Sequence, residues 1–198
     1  RADGSGAVIE RRQTFSFMLN EEDHLRMQAI RPGLQLGSAF QSLSELDSQL
    51  EQSLEFAFDP KLGYLTACPT NLGTGLRASS MLHLPALVLS DQIGQVLQAV
   101  NKIGLAVRGL YGEGTESLGN LYQISNQSTL GESEETIIRR LERVISQVAT
   151  HEQNAREKLL EDDPDMVADK IGRAYGVLRY AHLIDSKEAL NHLSLLRL

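Results

Sequence analysis

An α+β fold, with a mainly antiparallel sheet flanked by helices, is what this sequence predicts. Runs of strand-like segments carry helical segments interposed between them, and the links between strands are of hairpin length. The composition is that of an ordinary globular chain. Of 198 residues, 41% are hydrophobic and 23% charged, enough for a packed core and too apolar for a disordered segment.

Phe15, Phe17 and Leu19 alternate with polar residues, the pattern of a half-buried strand, and the stretch reads on through Leu25 and Met27 to Arg31-Pro32-Gly33. Leu36, Phe40, Leu43, Leu46, Leu50 and Leu54 then recur at helical spacing until Asp59-Pro60 ends the stretch. A short strand is expected at 64–67, a glycine-containing loop at 71–75 and another strand at 76–84. Ile93, Val96, Leu97 and Val100 mark a second helix, closed near Gly104. Two further strands are expected at 105–107 and 121–124, joined by a loop whose Gly109, Gly112 and Gly114 suit a mobile segment. Ile137, Leu141, Val144, Ile145 and Val148 form a third helical stripe, with Ser133 placed to cap it. The acidic run Glu161-Asp162-Asp163 reads as a solvated connection, and Pro164 suits the first turn of the next helix, whose apolar face is Val167, Ile171, Ala174 and Leu178. Ser186 reads as the cap of a last helix carrying Leu190, Leu193 and Leu196.

Several function classes are disfavoured. The net charge of −7 argues against bulk nucleic-acid binding, which needs basic surface to displace counterions. No apolar run approaches a bilayer span, so no membrane role is expected, and the first residues do not resemble a signal peptide. A single cysteine, Cys68, cannot form an internal disulfide, which makes a reducing cytoplasm the default compartment. The five histidines lack paired ligand spacing, so no metal site is expected from protein side chains.

Three segments carry chemistry. Residues 20–26, Asn-Glu-Glu-Asp-His-Leu-Arg, are dense in charge. Read as a strand, they put Glu22 and Arg26 on one face, about 13 Å apart at the usual rise, either to bracket a substrate or to form a salt-bridged strand end. Residues 68–77, Cys-Pro-Thr-Asn-Leu-Gly-Thr-Gly-Leu-Arg, set one thiol before a glycine loop and Arg77 after it. Glycines let backbone N–H groups approach phosphate oxygens, but the Gly-Lys-Ser/Thr of a P-loop is missing, and a structural cysteine beside a turn fits equally well. Arg108 stands at a strand end before Glu113, on a glycine-hinged loop able either to close over a substrate or to be a plain hairpin.

Taken together, these segments closely resemble the guanidino kinases, the family of creatine and arginine kinases. The 20–26 run is similar to their catalytic strand and the 68–77 run to their cysteine signature. Arg108-Gly109 with Glu113, followed by Ile124-Ser125-Asn126, is similar to their mobile specificity loop and the strand after it. Within the family, residues 78–87, residues 109–114 and the tail from Ser186 resemble the bacterial protein-arginine kinase branch. Two positions depart from the phosphagen kinases: Met81 stands where those usually have His, and Gln123 where they have Asp. The family's Ser-x-Arg-x-Arg motif is absent, which implies that residues 1–198 are a catalytic domain lacking its upstream part.

The resemblance implies transfer of the ATP γ-phosphoryl group to a guanidinium nitrogen, with Mg²⁺ held mainly through the nucleotide phosphates. Arg26, Arg77 and Arg108 match the family's phosphate-binding arginines. Glu22 matches the carboxylate that pairs with the acceptor guanidinium, and Glu113 a second carboxylate on the closing loop. Cys68 matches a thiol beside the reactive nitrogen, as a tuning thiolate and not a covalent nucleophile, and Asn71 supports its loop. The branch implies arginine-bearing protein substrates, a link to Clp-type proteolysis and a cytoplasmic setting, and is compatible with an oligomer. The alternative is a phosphagen kinase acting on free arginine or a related guanidine. A third reading is a binding module that keeps the acceptor site without enough phosphate ligands to turn over.

Overall fold

The computed structural model describes residues 4–110 and 117–198. By Cα proximity the chain divides into two units, 1–78 with 126–142, and 79–125 with 143–198.

In the first unit the alternation at Phe15, Phe17 and Leu19 produces a hairpin, not the single long strand expected. Strands β1 (Gly6–Ile9), β2 (Phe15–Leu19) and β3 (Leu25–Ala29) form an antiparallel sheet in that order. Strand β1 has no counterpart among the expected elements. The expected continuous strand breaks at 20–24, where five polar residues in a row offer nothing to bury. Asn20, a residue that tolerates the left-handed region, turns the chain at φ 50°, and its N–H donates to the His24 carbonyl at 3.0 Å. Glu22 therefore lies in the hairpin loop and Arg26 on β3, so the two do not share a strand face as their spacing predicts.

Helix α1 (Leu36–Glu51) turns half-buried Leu36, Phe40, Leu43, Leu46 and Leu50 inward. Leu54 lies beyond its end, 48% exposed. Arg31 joins sheet and helix: its guanidinium stacks 4.9 Å from the Phe15 ring centroid and donates to Ser42 Oγ at 3.1 Å. Strands β4 (Phe58–Asp59) and β5 (Gly63–Tyr64) make a small hairpin, in place of a strand at 64–67. The Asp59 carboxylate closes its turn by accepting from the Lys61 and Leu62 N–H groups at 2.8 and 2.9 Å.

The second unit is built on strands β6 (Ser79–His83), β7 (Leu105–Gly109) and β8 (Leu121–Asn126), with β8 central and antiparallel to β6. β6 starts three residues later than expected and ends one residue earlier, where Pro85 opens an unforeseen helix, α2 (Pro85–Leu89), with Pro85, Ala86 and Leu87 buried. Helix α3 (Ile93–Lys102) buries Ile93, Leu97 and Val100. Each such side chain contributes roughly 1.5–3 kcal/mol by leaving water.

Helix α4 (Glu134–Asp162) is far longer than the third stripe implied and runs through the acidic stretch expected to be a connection. Its buried face continues through Glu152 and Ala155, so nothing stops it before Pro164, which cannot extend a helix already under way. Asp163 then caps α5 (Pro164–Tyr180) by accepting from the Met166 N–H at 3.1 Å. The last helix, α6 (Ser186–Leu196), is capped by Asp185, not Ser186: the Asp185 carboxylate accepts from the Glu188 N–H at 2.8 Å. Among the described residues no helix is long and apolar enough to cross a membrane.

Candidate functional site

The first unit brings the acidic hairpin loop and the cysteine loop together. After β5 the chain runs through Ala67 and Cys68 into a single 3-10 turn, Pro69–Asn71. Cys68 is half-buried, and its carbonyl accepts from Thr66 Oγ1 at 2.8 Å and from the Asn71 N–H at 3.0 Å. Its thiol lies 3.0 Å from Thr70 Oγ1.

Two side chains tie this turn to the hairpin 20–24. Asp23 Oδ1 accepts from the Ala67 N–H at 2.6 Å, immediately before the cysteine. The Asn71 amide Nδ2 donates to Glu22 Oε2 and to Asp23 Oδ2, both at 3.2 Å. Glu22, Asn71 and Cys68 are thus brought into one neighbourhood. The sequence reading missed Asp23, because one carboxylate among three in a polar run looks interchangeable with its neighbours.

The far end of the turn is held as firmly. Thr129, buried, shares its hydroxyl between the Thr70 and Leu72 carbonyls at 3.0 and 2.7 Å, and its own carbonyl accepts from the Thr74 N–H at 2.8 Å. Gly73 is required here: at φ 107° its backbone passes so close that an added Cβ would lie 2.4 Å from the Thr129 carbonyl oxygen. Asn126, 1% exposed, holds the segment after it. It accepts from the Ala78 N–H at 2.8 Å and donates to the Leu76 carbonyl at 2.9 Å. Arg77, between those two residues, is exposed, and its guanidinium makes no hydrogen bond or ion pair among the described residues.

Arg26 points back to its own hairpin, with Nη1 at 2.6 Å from Glu21 Oε2, both side chains about half exposed. Arg108 lies exposed on β7 in the second unit. Glu113 lies outside the described residues. Met81 and Gln123, the two departures from the phosphagen pattern, are direct cross-strand partners on β6 and β8. Residues directly opposite share a sheet face, so the two departures fall at one place on the sheet.

The model of the ATP:guanido phosphotransferase C-terminal catalytic domain matches residues 1–155, and the chain belongs to that family. Residues 164–198 match a second model, the protein-arginine kinase McsB C-terminal domain. The chain is 53% identical over 196 residues to a protein-arginine kinase of Halothermothrix orenii, covering 99% of this chain and 56% of that protein. It is 52% identical to a protein-arginine kinase of Clostridium novyi, covering 100% of this chain and 57% of that one. The chain thus spans little more than half the length of these curated relatives. Among solved structures it is similar to the substrate-free duplicated taurocyamine kinase of Schistosoma mansoni, with TM-score 0.70 and 30% identity over 85% of this chain and 25% of that one. It is also similar to a lombricine kinase, with TM-score 0.68 and 30% identity over 79% of this chain and 44% of that one.

Proposed function

We propose that this chain is the catalytic part of a protein-arginine kinase, moving the γ-phosphoryl group of ATP to an arginine side chain of a protein. The observation that carries the reading is the junction of Glu22, Asn71, Asp23 and Cys68, in a chain about half identical to protein-arginine kinases.

A P–N bond forms to a guanidinium nitrogen as the bond from the γ-phosphorus to the β,γ-bridging oxygen breaks and ADP leaves, and the nitrogen gives up its proton to Glu22. The guanidinium is a cation and a poor nucleophile, so orientation and charge decide the rate. Glu22 pairs with it and aims one nitrogen, with Glu113 as a second carboxylate. Cys68 sits beside the reacting nitrogen and tunes its charge. Asn71 supports both groups.

By resemblance to the family, Arg26, Arg77 and Arg108 are the phosphate-binding arginines. Arg77 and Arg108 are exposed, and neither guanidinium makes an ion pair among the described residues. Arg26 exchanges Glu21 for phosphate at small cost, because a pair exposed by 42% and 50% is worth about 0–1 kcal/mol. Guanidinium forks match phosphate oxygens bidentately. Mg²⁺ would be held mostly by the phosphate oxygens. We read residues 1–198 together as one catalytic region in a cytoplasmic enzyme that marks proteins for Clp-type proteolysis.

A protein-arginine kinase cannot grip the α-amino and α-carboxylate groups of its acceptor, since these are peptide bonds in a protein. The parent enzyme is therefore expected to phosphorylate an unfolded basic protein far better than free L-arginine. With a net charge of −7 on this chain, rising ionic strength should lower the protein rate more. The assay runs both acceptors side by side with ATP and identifies the phosphoramidate by its acid lability. Preference for free arginine at matched concentration would make it a phosphagen kinase.

A further inference from the structure

We infer that Asp23 is a positioning residue for Glu22 and Cys68, acting through the Asn71 amide and the Ala67 N–H. The inference rests on the reading of Glu22 and Cys68 as acceptor-site groups.

Glu22 is exposed, on a five-residue loop, and a long side chain there has many rotamers. Its one hydrogen bond among the described residues is from Asn71 Nδ2 at 3.2 Å. An amide can present either its oxygen or its nitrogen, and the oxygen would repel the carboxylate. Asp23 Oδ2, accepting from the same nitrogen at 3.2 Å, makes the nitrogen-inward orientation the favoured one. Asp23 Oδ1 meanwhile takes the Ala67 N–H at 2.6 Å, a short charge-assisted bond that fixes the backbone entering Cys68. One half-buried carboxylate thereby sets both the direction of Glu22 and the place of the thiol, across 44 residues of sequence.

Asp23→Asn separates this role from mere fastening. In that variant the side-chain oxygen still accepts from the Ala67 N–H, but the new amide nitrogen faces the Asn71 nitrogen, donor against donor. If Asn71 flips to accept, its oxygen faces Glu22. In the first case the Asn71 orientation loses its second acceptor and in the second the bond to Glu22 is gone, so the aim of Glu22 is weakened or lost while the loop anchor survives. The exchange variant Asp23→Asn with Asn71→Asp restores a bond between 23 and 71 but leaves nothing to donate to Glu22.

The experiment uses the full-length kinase and whichever acceptor the unsubstituted enzyme prefers, so a wrong acceptor class does not disturb it. Expected for Asp23→Asn is a loss of roughly ten- to a hundredfold in kcat/KM for the acceptor, the range for a hydrogen bond to a charged group. Nucleotide Kd should stay within about twofold, and the exchange variant should show no recovery. Normal turnover in Asp23→Asn, or recovery in the exchange variant, would overturn the inference. So would an equal loss of nucleotide binding and thermal stability, which would mark a scaffold residue.

Discussion

Glu152→Ala is the sharpest test of how the second unit is held. Glu152 is 4% exposed, although a charged residue on a helix ordinarily faces water. Its two oxygens accept from the Ala86 and Leu87 N–H groups at 3.0 Å each, satisfying donors in the first turn of α2 that have no intrahelical partner. Arg156 Nε donates to it at 2.7 Å and sends Nη1 on to the carbonyls of Arg197 and Leu198 at 3.1 and 3.2 Å. Truncation orphans two buried N–H groups and leaves the guanidinium without its counter-charge. Hydrogen bonds to a charged group are worth about 1.5–3 kcal/mol each but do not add fully, and breaking a buried pair costs about 3–5 kcal/mol, which is the expected loss. For a chain of this size that lowers Tm by roughly 6–20 °C. Arg156→Leu should cost less, because the carboxylate keeps both N–H donors, and the double variant should cost clearly less than the sum of the two. Unfolding of the 198-residue chain followed by far-UV circular dichroism and tyrosine fluorescence reads this directly, since the chain has no tryptophan. A loss below about 1 kcal/mol for Glu152→Ala would refute the capping argument.

Glu22→Gln in the full-length enzyme should lower phosphoryl transfer roughly 10²–10⁴-fold while nucleotide affinity, measured by titration, holds; near-normal turnover would remove Glu22 from the mechanism. Gly73→Ala must place a Cβ against the Thr129 carbonyl at positive φ and should destabilise the chain, measured by denaturant unfolding; a loss of unfolding free energy below about 1 kcal/mol would refute the close-approach argument. Burial, reinforced by Arg156 and opposed by Glu152, with Arg197 adding to the lowering, holds the His83 imidazole below its usual value of 6.5. The folded state thus binds that proton less readily than the unfolded one. Its contribution to stability is complete above about pH 6.5 and is lost as pH falls through the folded value, so the difference in stability between the native chain and His83→Gln should shrink from pH 7 towards pH 5. A pH-independent difference would contradict this. Iodoacetamide labelling of Cys68 in the full-length enzyme should slow when nucleotide and acceptor are both bound; an unchanged rate would place the thiol away from the acceptor.

The sequence alone carried the α+β class, because helical stripes such as Ile93, Leu97 and Val100 and the alternation at Phe15, Phe17 and Leu19 are periodicities of single elements. It also carried the family, through the runs at 20–26 and 68–77. Boundaries were less legible where a local signal competed with a tertiary one. The acidic run at 161–163 is solvated as it reads, yet it is not all connection: α4 continues past its last buried residue, Ala155, through exposed Glu161 and Asp162 until Pro164 ends it. Ser186 reads as a cap, yet Asp185 occupies the place. The strand expected through 20–24 is a loop because its five polar residues have nothing to bury and Asn20 turns the chain, whereas the pairing of β2 with both β1 and β3 is a property of paired strands, absent from any one of them. Long-range polar contacts were least legible. Nothing near Glu152 in sequence announces the α2 N–H groups 65 and 66 residues away, and nothing near Asp23 announces Ala67. A charged residue in a polar stretch looks like a solvated face until the fold brings donors to it. The type of each element follows from the order of its own residues, whereas the role of a carboxylate depends on which backbone N–H groups the tertiary structure sets against it.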